Sequence, residues 1–215
     1  MNRRSVIIRA LFTIMVVAIA ASPQGNVSAT TTREMQRELD QIGADVDRFW
    51  AQVSSNYDLP YYAPGVDFQI GEFESGCGRG GEYAIYCGID EVIYLDPAIL
   101  AAEYDRTGGN GIAIATVSHE WGHHLTFLWL AQAEGQVDYT WLLDREVRWE
   151  LLADCLSGVY MGAAWADAPP ADGQLLAVVR DYSNIGSRVH GTGDERVVAF
   201  MSGYVEGFEG CDFLD

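Results

Sequence analysis

Apolar residues recur at intervals of three and four between Thr32 and Ser55, where Met35, Leu39, Ile42, Val46, Phe49 and Val53 form one stripe. That spacing predicts an amphipathic helix. Pro, Tyr and Gly between Leu59 and Asp67 break the pattern, after which "VDFQIGEF" alternates as a short strand should. A second strand is predicted over "EVIYLDP", Glu91 to Pro97. It should stop at Pro97 or lie at a sheet edge, because proline cannot donate to a ladder. A Gly-rich approach then leads into a long, strongly apolar helix from about Gly111 to Ala131. Further helices are expected from about Leu143 to Ala166, Gln174 to Asn184 and Asp194 to Gly207. Thr192 with Glu195 three residues on is a capping-box pattern ahead of the last of them. No internal repeat occurs.

One segment follows neither period. The start "MNRRSVIIRALFTIMVVAIAASPQGNVSA" joins arginines to an apolar run from Ala10 to Ala21, with small residues placed for cleavage after Ala20 or Ala29. This reads as a secretory signal over residues 1–29, and Arg3–Arg4 leaves a twin-arginine route open. The run is too short to span a bilayer, for which roughly 20 residues are needed, so no membrane span is expected once the signal is cut. Residues 30–215 are then enough for one domain, placed outside the cytoplasm as a secreted or envelope protein. Oligomeric state is not readable.

Charge narrows the partners. All 13 basic residues are Arg; three leave with the signal while all 31 acids stay, which takes the net charge from −18 to −21. Such a surface repels nucleic acid and anionic membranes. Cys77, Cys87, Cys155 and Cys211 are an even set in an exported chain, and of three pairings we expect Cys77–Cys87 and Cys155–Cys211. The first closes the loop "CGRGGEYAIYC"; the second staples the C-terminal tail to a central helix. A cysteine zinc site is disfavoured, since no C-x-x-C element occurs.

Candidate chemistry centres on "VSHEWGHHL", residues 117–125, which carries three of the four histidines. In a helix His119 and His123 share a face, about 6 Å apart at Cβ, and can converge on one ion. Glu120 sits one step round, where it could take a proton from a metal-bound water and pass it to a leaving amine. Gly122 removes bulk between the ligands and suits close approach of another element. His124 points about 100° away from His123 and reads as a supporting or packing residue.

A candidate third ligand lies in "REVRWELLADCLSG". Glu150 and Asp154 are four apart on a largely apolar helix, where buried carboxylates need partners. Glu150 would complete a His-His-Glu zinc set with water in the fourth place, and Asp154 would accept from the far nitrogen of a ligand histidine. His190 is the candidate donor to the developing oxyanion, or else a solvated loop histidine. Arg188 and Arg196 flank it, and either could contact the supporting acid.

Taken in series, "YCGIDEVIYLD", "HEWGHH", "ELLADCLSG" and "HGTGDERVVAFMSGY" resemble the putative neutral zinc metallopeptidases of bacteria over roughly residues 75–215. The resemblance implies one Zn2+ per chain held by His119, His123 and Glu150, Glu120 as base, Asp154 behind the site and His190 in a His-Gly motif. It also implies an α+β, zincin-like fold with a small β-sheet and several helices, the motif helix packed on the Glu150 helix. A strand should border the cleft, with "EVIYLD" as its edge and a peptide or protein substrate paired to it. The chain departs from the family at Glu195, where Gln is common, and in its first helix and Tyr-Pro segment, which match loosely. The reading is an exported zinc endopeptidase. Its alternatives are a non-catalytic, zinc-stabilised binding protein and a zinc amidase acting on cell-wall crosslinks.

Overall fold

The computed structural model describes residues 29–81, 83–134 and 146–211. The expected signal over 1–29 falls almost wholly outside them, as do the expected first residues of the Glu150 helix.

Helix α1, Thr32–Tyr57, forms where the first stripe predicts it. Thr31 and Glu34 make a reciprocal capping box at its start, and Asp58 ends it in the left-handed region, at φ 55°. The buried stripe is Met35, Leu39, Ile42, Val46 and Trp50, while Phe49 and Val53 pack at its margin. Trp50 is fully buried, and a side chain of that size contributes about 1.5–3 kcal/mol or more by leaving water.

The strands are β1 (Gly65–Phe68), β2 (Phe73–Ser75), β3 (Gly78–Gly80), β4 (Ala84–Cys87) and β5 (Val92–Leu95). The expected single strand over "VDFQIGEF" is split between two sheets. Gly71, at φ 75°, turns the chain between β1 and β2, and its N–H donates to Asp96. β2 and β3 form a hairpin, whereas β1, β5 and β4 lie side by side in that order, β1 parallel and β4 antiparallel to β5. This corrects the expectation for "EVIYLD": β5 is the central strand, hydrogen-bonded on both sides, and the edge facing the helices is β4.

Pro97 does end the strand, and its position shows why. Asp96 caps a helix that the sequence reading missed, α2 (Pro97–Thr107), with Oδ1 accepting from the N–H groups of Ala98 and Ile99. Proline at the first helical position lacks only an N–H that would have had no partner in the helix.

Four more helices follow in the described chain: α3 (Gly111–Glu134), α4 (Glu146–Asp167), α5 (Gln174–Asn184) and α6 (Gly193–Glu206), the last running into a 3-10 turn, Gly207–Gly210. The result is an α+β fold consistent with a zincin-like domain. Small residues set its helix spacing. A Cβ on Gly122 of α3 would lie 2.8 Å from Cα of Ala153 on α4, and one on Gly158 of α4 would lie 2.0 Å from the Phe200 carbonyl oxygen of α6. Both disulfides expected from the sequence are formed, Cys77–Cys87 and Cys155–Cys211. Among the described residues, no helix is long and apolar enough to cross a membrane.

Candidate metal centre and its cleft

The backbone approach at Gly122 brings the middle of α4 against the motif face of α3. His119 and His123 meet edge to face, ring centroids 4.6 Å apart, and Glu150 reaches both. Nε2 of His119 lies 3.2 Å from Oε2 of Glu150, and Nε2 of His123 lies 3.5 Å from Oε1. One ligand atom from each of the three can be chosen so that all lie within 4.8 Å of one another. Trp149 stacks on the His123 ring at 5.4 Å and closes its other face.

These donors are short of ordinary partners. Nδ1 of His123 and Oε2 of Glu150 are buried with no aligned hydrogen bond. His119 has burial working against its charge, yet Asp154 and then Glu150 outweigh it and raise its pKa to about 10. Burial pushes Glu150 upward, while His123 and His119 hold it well below the usual carboxylate range. A cation at the convergence point would take the place of the proton. Two imidazole nitrogens and a carboxylate oxygen, buried and convergent, suit zinc with a fourth position left for water.

Glu120 is also buried, 8% exposed, and its Oε2 accepts the backbone N–H of Tyr86 at 2.7 Å. That contact ties the carboxylate to the edge strand. Just before β4 the Tyr83 carbonyl accepts from the Asp96 N–H that follows β5, so the alternation of an antiparallel ladder turns the amide and carbonyl of Ala84 and Tyr86 away from β5. Ala84 lines the cleft together with His119, Glu120 and His190.

Behind the donors lies a buried ion pair. Nδ1 of His119 is 2.8 Å from Oδ1 of Asp154, though not aligned as a hydrogen bond, and Arg196 of α6 grips both oxygens of the same carboxylate, Nε to Oδ2 and Nη2 to Oδ1, each at 2.7 Å. Of the two arginines considered from the sequence, Arg196 is therefore the one that reaches the acid; Arg188 is exposed. Tyr182 of α5 lies under the Arg196 guanidinium and donates to Ser157, which also pairs with Ser118 of α3. His124 is fully buried, with Nδ1 at the Tyr86 hydroxyl and Nε2 at the Tyr62 carbonyl, and burial lowers its pKa. It fastens α3 to the edge strand, the packing role expected of it.

His190 comes to the same place from a turn ahead of α6. Its Nδ1 pairs with Ser187 at 2.8 Å, and Nε2 stands 3.7 Å from Oε1 of Glu150. The structure thus brings His119, His123 and Glu150 together, with Asp154 behind them and Glu120 and His190 beside them on the cleft wall. Sequence reasoning missed the Tyr86 amide, which carries no side-chain signal, and the contribution of Tyr83, Asp181 and Tyr182 to the cleft wall.

A family model described as putative neutral zinc metallopeptidase matches residues 7–176, which include His119, His123 and Glu150 but stop short of His190 and Arg196. An uncharacterized protein of Mycobacterium tuberculosis is 28% identical over 142 residues, covering 64% of this chain and 47% of that protein. The uncharacterized protein YpfJ of Escherichia coli is 26% identical over 193 residues, covering 77% of this chain and 66% of its own length. The chain thus spans about half the length of the mycobacterial relative. No solved structure matches it significantly.

Proposed function

Because this chain belongs to the putative neutral zinc metallopeptidase family, we propose that it is an exported, single-domain zinc endopeptidase using His119, His123 and Glu150 to hold one zinc ion and Glu120 as its base. The observation that carries the reading is the convergence of those three donor side chains beside Glu120 in an open cleft. When bound, zinc supplies Lewis acidity, lowering the pKa of a neighbouring water towards neutrality and polarising a carbonyl.

The chain's own residues do the rest. Glu120, positioned through the Tyr86 amide, takes the proton that water sheds and delivers it to the departing amine. His190, whose Nε2 lies near Glu150, donates to the oxygen on which charge builds. Asp154 orients His119, and Arg196 in turn fixes Asp154. An extended substrate pairs its backbone with Ala84 on the edge of β4, which presents the scissile carbonyl beside Glu120. The N-terminal signal pattern and two disulfides support an extracytoplasmic site of action.

The deciding measurement is the zinc content of the purified protein beside Glu150→Ala, by elemental mass spectrometry after dialysis. About one zinc per wild-type chain, lost in the variant, is the expected result, from the donor count alone. A folded wild-type protein that takes up no zinc would end the reading.

A further inference from the structure

The cavity that opens beside Glu120 has a volume of about 490 Å³ and is lined on one side by Ala115, Thr116, His119 and Glu120 of α3. Its other walls are Tyr83 and Ala84 at the start of β4, Ile99 of α2, Asp181, Tyr182 and Ile185 at the end of α5, and His190 ahead of α6 with Arg196 on it. Most of that surface is apolar, and Asp181 is its one carboxylate besides Glu120. The Asp181 carboxylate is partly buried and has no side-chain hydrogen bond or ion pair among the described residues. The neighbouring cations are engaged elsewhere: Arg106 with Glu103, and Arg196 with Asp154. Glu103, which also accepts from the Tyr83 hydroxyl, lies close by with its charge shared with Arg106. Burial first, and then the charge of Glu103, raise the Asp181 pKa, with Arg106 and Arg196 acting against them in part.

We infer that this cavity receives the side chain of a Lys or Arg residue flanking the scissile bond, with the cation paired to Asp181. The inference rests on the peptidase reading above and names the substrate class for it. A long aliphatic stem lies against Tyr83, Ile99 and Ile185, as such stems do when their charged head finds water or a partner. A purely apolar side chain fills the same walls but leaves Asp181 desolvated without a partner, which is unfavourable. The net charge of −18 acts in the same direction by drawing cationic peptides to the surface.

The test is a library of peptides incubated with the zinc-loaded full chain, the cut sites being read by mass spectrometry. Cleavage is expected next to Lys or Arg, always on the same side of the cut. Asp181→Asn should lower kcat/KM for an Arg peptide relative to its citrulline analogue by about ten- to hundredfold, the range set by losing a charge-assisted hydrogen bond. Asp181→Glu should keep the preference, which separates the lost charge from a damaged fold. Cleavage with no basic preference would overturn the inference and leave the peptidase standing. If no peptide is cut, the peptidase reading fails, and binding of agmatine against isoamyl alcohol, measured calorimetrically, judges the cavity alone. Agmatine binding that Asp181→Asn abolishes supports the site, whereas equal weak binding of both compounds overturns it.

Discussion

Arg196 of α6 holds Asp154 of α4 through two hydrogen bonds of 2.7 Å, both side chains being almost wholly buried. The pair joins the last helix to the helix that carries Glu150, and through Asp154 it reaches His119. Taking one partner away from a buried pair leaves an uncompensated charge, which costs about 3–5 kcal/mol. Arg196→Leu should therefore lower the unfolding free energy by that amount, read as a drop in the urea midpoint, and weaken zinc binding. An unchanged midpoint would show that water or another cation replaces the guanidinium.

Glu120→Gln should behave differently, because the substitution leaves the three donors in place. Zinc content stays at the wild-type level while hydrolysis of the best peptide drops by at least about a hundredfold, the low end for a lost general base. Near-normal turnover in this variant would sink the assigned mechanism.

Gly122→Ala tests the helix spacing that places Glu150. Alanine gains about 1 kcal/mol in helix propensity, but its Cβ meets Cα of Ala153 at 2.8 Å, a backbone atom that cannot swing aside. Overpacking of about 1–3 kcal/mol should prevail. The expected outcome is a lower melting temperature together with weaker zinc retention, followed by calorimetry and metal titration.

The Cys155–Cys211 bridge links residues 56 apart. Replacing both with alanine removes that constraint from the unfolded chain and should cost about 2–5 kcal/mol. Equilibrium denaturation checks it, and Cys77→Ala with Cys87→Ala, closing a loop of only 10 residues of separation, should cost less.

Stability near pH 4 should carry a contribution from Glu195. Its pKa is lowered by the Thr192 backbone N–H and then the Thr192 hydroxyl, which it accepts at the start of α6. A carboxylate whose folded pKa is depressed adds stability above its unfolded value and loses it as the pH falls through the folded one. Wild type should therefore exceed Glu195→Gln in melting temperature at pH 6, with the gap closing on acidification. A gap that stays constant with pH would assign the capping benefit to geometry rather than charge.

Much of this architecture was legible in the order of residues. The three-and-four spacing located α1, the Gly-rich approach and apolar run located α3, and the Thr192–Glu195 capping pattern located α6, each to within a few residues, and the four-residue spacings in "HEWGHH" and "ELLAD" identified side chains that do meet. What stayed hidden was tertiary. Asp96 caps α2, but the Asp-Pro pair that announces it also reads as a strand stop. Gly71 divides one alternating run between two sheets, because a single left-handed residue redirects the chain without disturbing the alternation. Which strand forms the edge depends on β1 pairing parallel to β5 across an interval of more than twenty residues, and no local pattern encodes that choice.

The partner of Glu120 on β4 is a main-chain amide. Every amino acid but proline brings that same donor, so position 86 can drift freely in identity as far as this contact is concerned. Proline alone would delete it. A part of the machinery is thus written in the path of the chain rather than in its alphabet, and comparing related sequences column by column would pass over it.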